Sequence, residues 1–238
     1  MQALVLNLDR DLERYSSFLD ATKCARRVHF ERLPAVYGGD LPTYALAEVS
    51  KNKGWAAKRG EIGCFLSHVK AWEIVAKSGA RLILEDDAVP LNIDRLADLL
   101  IPHDVELVFV NDRTAASPSD IRQALKCRPI RDTLATLERT RRGAGSDGYV
   151  LSPSGARKML EAIERDGCFG NVDWRLLRYG IGREQVEAEF PGTRVADVLM
   201  NHHHPNIPPQ WGIVNARCLN VPVVAAGLSK SSRANANV

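Results

Sequence analysis

Gly79-Ala80-Arg81-Leu82-Ile83-Leu84-Glu85-Asp86-Asp87-Ala88-Val89-Pro90 is the stretch on which the reading of this chain turns. Three apolar residues, Leu82 to Leu84, run directly into three carboxylates, Glu85, Asp86 and Asp87. A buried strand that ends in acids brings charge to the ligand edge of an open α/β sheet. On a strand, Glu85 and Asp87 share one face and Asp86 takes the other. Adjacent acids repel, so the cluster calls for a divalent cation or a basic partner. As chemistry, the D/E-x-D spacing at a strand end offers one or two oxygen ligands to Mg²⁺ or Mn²⁺, with coordination positions left for a substrate's phosphates. As structure alone, the same acids end a strand and its turn in water.

Working upstream, Glu61 to Ala76 is the most strongly patterned helix: Ile62, Phe65, Leu66, Val69, Trp72 and Ala76 share one face, and Gly79 supplies a stop. Gly60 and Glu61 suit its N-terminus, where exposed N–H groups favour negative charge. His68, near the middle, reads either as a structural histidine or as a catalyst. Asp40 to Gly60 is expected to be a long surface loop with a helical turn, either a solvated basic loop or a flap over a phosphate-bearing ligand. Residues 2–8 read as a strand buried on both faces, with Asn7 and Asp9 supplying polar groups at its end. A helix from Arg10 to Thr22 and a strand from Val28 to Leu33 follow, a strand–helix–strand opening typical of nucleotide-binding sheets.

Downstream, a short helix (Ile93 to Leu100) leads to a strand, Val105 to Val110, that ends in Asn111-Asp112-Arg113 and supports a shared ligand edge. The basic stretch Thr114 to Arg142 reads as surface hairpins or an excursion. Gly143 to Ala156 gives a glycine-rich approach, a short strand, and a helix with Ser152 as N-cap and Pro153 in its first turn. Asn171 opens another helix carrying Asp173 and Trp174. Beyond Gly192 no clear order is expected. The polar end of the chain, residues 223–238, reads as a flexible tail after a single domain of residues 1–222.

Composition agrees with a globular α/β domain: of 238 residues, 45% are hydrophobic and 26% charged. No apolar run approaches the roughly 20 residues that cross a bilayer. The N-terminus lacks the basic start and cleavage region of a signal peptide. Five cysteines without a C-x-x-C pair fit reduced thiols, and together these features lead to an expected cytoplasmic location. A net charge of +3 suits anionic ligands or a membrane surface and is too weak to indicate nucleic acid.

Four blocks stand in order: Leu6-Asn7-Leu8-Asp9-Arg10 with Arg14 nearby; Glu61-Ile62-Gly63-Cys64-Phe65-Leu66-Ser67-His68; Leu84-Glu85-Asp86-Asp87; and Gly148-Tyr149-Val150-Leu151-Ser152 leading to Val172-Asp173-Trp174. Together they resemble glycosyltransferase family 25, the lipopolysaccharide-biosynthesis and collagen-modifying sugar transferases, over about residues 2–180. The specific part is E-I-G-C-x-x-S-H followed by L-E-D-D. The resemblance implies a GT-A-like (Rossmann-like) mixed sheet flanked by helices. It also implies a UDP-sugar donor, usually UDP-galactose, a divalent metal (Mn²⁺ or Mg²⁺), and inversion at the anomeric carbon. The acceptor would be a saccharide or lipid-linked glycan such as lipopolysaccharide, with peripheral contact at the inner membrane face.

By the same resemblance, Asp87 is a metal ligand, with Asp86 and Glu85 contacting metal or ribose. Asn7 and Asp9 lie near the uridine or ribose, and Arg14, Glu61 and Ser67 complete the donor-binding set. Sugar transfer from a nucleotide diphosphate needs its leaving charge neutralised and a base for the attacking hydroxyl. Asp173 is the candidate base, with a helix-capping role as its alternative and Asp112, Asp147 and Glu61 in reserve. Trp174 could stack on the sugar. One of His202, His203 and His204 would complete the metal shell or lie in a solvated loop. A metal-dependent phosphohydrolase and a non-catalytic nucleotide-sugar-binding protein are the rival classes.

Overall fold

The computed structural model describes residues 1–116, 123–201 and 203–227. Strand β1 (Gln2–Asn7) is followed by helix α1 (Leu12–Thr22), strand β2 (His29–Pro34), and helices α2 (Thr43–Ser50) and α3 (Arg59–Ser78). Strands β3 (Arg81–Glu85), β4 (Ala88–Pro90), β5 (Leu107–Phe109) and β6 (Cys127–Pro129) lead to α4 (Ile130–Thr140) and β7 (Gly148–Leu151). Helices α5 (Pro153–Asp166), α6 (Val172–Gly180), α7 (Arg183–Glu189) and α8 (Arg194–Asn201) precede β8 (Ala216–Leu219) and β9 (Val224–Ala226). Among the described residues seven strands form one mixed sheet in the order β2-β1-β3-β7-β5-β8-β6, while β4 and β9 pair separately. The expected α/β architecture, a mixed sheet flanked by helices, is the one observed.

Alternation along the strands builds a core on each face of this sheet. Leu4, Leu6 and Ile83 join a cluster with Phe65, Trp72, Met159 and Leu177, whereas Ala3, Val5, Leu82 and Leu84 join Phe18, Ile93 and Leu96 on the other side. Both faces are therefore dry, which explains why these strands read as continuous apolar runs. β1, β2 and β3 run parallel, and β7 runs antiparallel between β3 and β5. The C-terminal ends of β1, β2, β3 and β5 thus share one edge with the start of β7. Every polar strand end noted in the sequence lies on it.

Helix α3 carries the most information about how the sheet is covered. Of its sequence-predicted face, Ile62, Phe65 and Trp72 are inaccessible to solvent while Leu66, Val69 and Ala76 are half-buried against the same core, and Gly79 caps the helix at φ +103°. Gly63 is required by close approach: a Cβ there would lie 2.7 Å from the Val36 carbonyl and 2.5 Å from the Gly38 nitrogen. Those backbone atoms belong to the segment leaving β2, so Gly63 fixes how near that segment comes to α3.

His68 and Trp72, one turn apart on α3, both reach Tyr149 on β7. Trp72 Nε1 donates to Tyr149 Oη at 2.8 Å, and His68 Nδ1 is hydrogen-bonded to the same oxygen at 2.8 Å. All three side chains are fully buried. Tyr149→Phe leaves two buried polar groups without that partner, and it is expected to destabilise the fold by about 1–3 kcal/mol per stranded group in urea denaturation. A midpoint unchanged from wild type would show that the network adds nothing to stability.

Several sequence expectations are corrected. Asp40 to Gly60 is not a long loop: α2 occupies much of it, and Leu46, Ala56 and Ile62 form a small core of their own. The basic stretch after Thr114 contains α4, which buries Ile130, Thr133, Leu134 and Leu137 at helical spacing while its charges face outward. Order also continues past Gly192 through α8, β8 and β9. The domain does not end at residue 222, because Val223 and Val224 are fully buried and β9 pairs with β4. The rest of the expected tail, residues 228–238, lies outside the described residues. Among the described residues no helix is long and apolar enough to cross a membrane.

Candidate active site

The shared strand edge opens into a cavity of about 270 Å³. Following the sheet order, one side is apolar and aromatic: Leu8 after β1, and Ala35, Val36 and Tyr37 after β2. The other side is charged, with Glu85, Asp86 and Asp87 after β3, Asp147 before β7 and Arg113 after β5. Arg14, Ser67, His68 and Asp173 also line it, as do Ala226 and Gly227 from the C-terminal strand.

Two of the three acids share a basic partner. Arg14, on α1, contacts Asp86 Oδ1 at 2.6 Å and Asp87 Oδ2 at 3.3 Å. Asn7 is buried at the end of β1 and donates through Nδ2 to Asp86 Oδ2 at 2.7 Å. Both Asp86 oxygens are therefore engaged. Burial raises the Asp86 carboxyl above its ordinary value, against the opposing pull of Asn7 and Arg14.

Asp87 differs. Its Oδ1 is buried with no hydrogen-bond partner among the described residues. Burial, joined by repulsion from Glu85 and Asp147, pushes its carboxyl up to about 7. Asp147 is held by Arg113, whose Nε donates to Oδ2 at 3.1 Å and whose second nitrogen reaches Oδ1. Burial and the Glu85 charge still push Asp147 up to about 6. Glu85 itself accepts from the Ser146 hydroxyl at 2.5 Å and lies 3.5 Å from His68 Nε2.

Both Asp87 and Asp147 therefore hold their protons more tightly folded than unfolded. Their contribution to stability is complete below the ordinary value of 3.8 and is lost as the pH rises through about 6 and about 7. In chelator-containing buffer, Asp87→Asn is expected to raise Tm at pH 8 and to leave it nearly unchanged at pH 4. The gain should be roughly 2–4 °C for each kcal/mol of repulsion relieved. An equal Tm change at the two pH values would remove the electrostatic explanation.

Other sequence candidates separate. Asp173, in the first turn of α6, lines the cavity. Its Oδ2 accepts the Gly145 N–H at 3.1 Å and its Oδ1 accepts the Trp174 N–H at 2.8 Å. Gly145 sits at φ +71°, and a Cβ there would run into the Arg113 guanidinium at 2.4 Å, so only glycine suits this loop. Trp174 is a core residue under the Arg194 guanidinium and offers no platform for a sugar. Tyr37 lines the cavity, with the Arg10 guanidinium 4.6 Å from the centre of its ring.

Asp9 is exposed and paired with Arg32 at 2.5 Å, and Glu61 lies in the first turn of α3; neither lines the cavity. Asp112 is likewise outside it, tied to Arg142 at 2.7 Å and to the Ala226 N–H at 3.1 Å. His204 does not belong to a metal shell. It is buried, bonded to the Lys51 carbonyl at 3.0 Å and to the Asn206 N–H at 3.0 Å. His203 borders a separate groove, and His202 lies outside the described residues.

Tyr37, Arg113 and Ser146 escaped the sequence reading as site residues. For Arg113 the signal was present in its position at the end of an apolar strand. Tyr37 and Ser146 sit in turn-like text that carries no period.

A mixed α/β domain whose strand ends gather acids and guanidinium groups around one cavity is a domain built to hold a charged ligand at that edge. The chain belongs to glycosyltransferase family 25: the family model described as glycosyltransferase family 25 (LPS biosynthesis protein) matches residues 1–168. No curated protein matches the chain. Solved structures similar to it include the glycosyltransferase GlyE of Streptococcus pneumoniae TIGR4, at 10% identity and a TM-score of 0.40, covering 96% of this chain and 54% of that one. The galactosyltransferase LgtC in complex with donor and acceptor sugar analogues is similar at 12% identity and a TM-score of 0.39, covering 96% of this chain and 87% of that one. A glycosyltransferase involved in glycosylation of the major capsid of PBCV-1 is similar at 8% identity and a TM-score of 0.34, covering 99% and 96%. These three likenesses are distant, and family membership rests on the sequence match.

Proposed function

We propose that this protein transfers a hexose, galactose from UDP-galactose, onto a saccharide acceptor such as a lipopolysaccharide or another lipid-linked glycan, with inversion. The observation that carries the proposal is the division of the cavity along the sheet edge. The apolar and aromatic wall of Leu8, Ala35, Val36 and Tyr37 suits a nucleobase, and the charged wall of Arg14, Glu85, Asp86, Asp87 and Arg113 suits a diphosphate with its counter-ion. Family membership and the GT-A-like arrangement implied by it support the same donor.

A divalent metal fits this donor set at Asp87. Its buried, unpartnered Oδ1 is a hard oxygen ligand, and its raised carboxyl value marks a place where added positive charge would be favourable. When bound, Mn²⁺ or Mg²⁺ would neutralise charge on the leaving diphosphate. The chain's own residues do the remaining work. Asn7 and Arg14 hold Asp86 beside Asp87, Arg113 holds Asp147, and Asp173 faces the acceptor side as the base. Placement at the cytoplasmic face of a membrane belongs to this reading because a lipid-linked acceptor would reside there.

Thermal shift with a panel of nucleotide sugars, with and without Mn²⁺, tests the donor. A ligand at 100 times its Kd stabilises the folded state by about 2.7 kcal/mol. UDP-galactose is expected to raise Tm in the presence of Mn²⁺ and to do so less in its absence. If no nucleotide sugar shifts Tm, the donor reading fails. Phosphate release into water without sugar transfer would point instead to a phosphohydrolase.

A further inference from the structure

Three cavity-lining side chains, Cys64, His68 and Glu85, are brought together by α3 and β3. Cys64 and His68 stand one turn apart on α3, and Glu85 ends β3 opposite them. The Cys64 Sγ, a His68 ring nitrogen and a Glu85 oxygen all lie within 4.8 Å of one another. His68 Nε2 is 3.5 Å from Glu85 Oε1. The histidine is fully buried, and its Nε2 has no hydrogen-bond partner among the described residues. A buried imidazole nitrogen aimed at a thiol and a carboxylate is costly unless something binds it.

We propose that Cys64, His68 and Glu85 form a binding site for a borderline divalent cation, zinc, separate from the oxygen donor at Asp87. Sulfur and imidazole together select zinc over magnesium or manganese, which prefer oxygen ligands throughout. The groups behind the site match what a metal-bound histidine and carboxylate use. With its Nδ1 proton donated to Tyr149 Oη, His68 turns the Nε2 lone pair toward the cavity, and Trp72 holds that tyrosine oxygen from the other side. The Ser146 hydroxyl holds Glu85. Three protein ligands leave a fourth position facing the cavity, open to water or a ligand oxygen. The inference shares Glu85 with the charged wall of the donor reading but concerns a different cation and the Cys64 and His68 ligands, so it can fail or hold independently of that reading.

Cobalt(II) titration of the intact chain under reducing conditions tests it, because cobalt bound to a thiolate gives a charge-transfer absorption in the near ultraviolet. One equivalent of cobalt is expected to develop the band in the wild type and in Asp87→Asn, and zinc should bleach it. Cys64→Ser is expected to abolish the band while circular dichroism stays native. Ser146→Ala, which removes an outer partner, should weaken cobalt binding by roughly 10–100-fold. No band in the wild type, or a band that survives in Cys64→Ser, overturns the proposal. If Cys64→Ser fails to fold, Glu85→Gln decides: at least a tenfold loss of cobalt affinity supports the site, and unchanged affinity overturns it.

Discussion

Asp87→Ala is expected to abolish metal-dependent binding of UDP while leaving the fold intact. Three observations single out Asp87 among the acids of its cluster. Both oxygens of Asp86 are already held, one by Asn7 and one by Arg14. Glu85 accepts from Ser146, whereas Asp87 keeps one buried oxygen without a partner. Burial and the charges of Glu85 and Asp147 also push the Asp87 carboxyl up to about 7, so the site favours a nearby cation at neutral pH. The alanine variant removes the ligand and part of the repulsion together, so stability should hold or improve even as binding fails. Loss of an outer partner alone costs roughly 10–100-fold in metal affinity, and loss of the ligand itself should exceed the upper figure. Isothermal calorimetry with UDP and Mn²⁺ measures it. An affinity within about threefold of wild type would take Asp87 out of the metal site.

How much of this was legible in sequence depends on whether the signal is local. The E-D-D strand, α3 with its Gly79 stop, and the Ser152-Pro153 start of α5 all declare themselves within a few residues, and the Ser152 hydroxyl does accept the Gly155 N–H at 3.1 Å. α4 was hidden because its Arg and Glu residues are interleaved with a buried stripe of only a few apolar side chains. β9 was hidden by its position ahead of a polar end, although Val223 and Val224 are buried. The antiparallel insertion of β7 between β3 and β5 is a non-local pairing that no short pattern encodes.

The site divides in the same way. Asn7, Glu85, Asp86 and Asp87 could be named because the polar ends of buried strands are visible in text, and Arg14, on α1, through the family resemblance. Their pairings, Arg14 with Asp86 and Arg113 with Asp147, could not, since each joins segments that are distant in sequence. Asp9 and Trp174 failed for a physical reason. Asp9 is one residue too far along the chain and turns out to Arg32, and Trp174 turns inward because α6 needs it for the core.

Asp173→Asn is expected to lower kcat by roughly 10² to 10⁴ with little change in donor affinity. In a direct displacement the base must sit on the side of the sugar away from the diphosphate. In the reading proposed above, Glu85, Asp86 and Asp87 would lie with the leaving group, and Asp147 is clamped by Arg113. Asp173 lines the same cavity from α6. Each of its oxygens accepts one backbone N–H, from Gly145 and from Trp174, which fixes the carboxylate and leaves a further lone pair on each oxygen for the acceptor's proton. Asparagine keeps the shape and one accepting oxygen but cannot take that proton. A base role therefore predicts loss of the acidic limb in the pH profile of kcat, together with the fall in rate. An anchoring role predicts something else: a loosened Gly145 loop, weaker UDP binding, and a normal rate at saturating donor. That second result would leave Asp147 as the cavity acid to test, because Asp112 and Glu61 do not line the cavity.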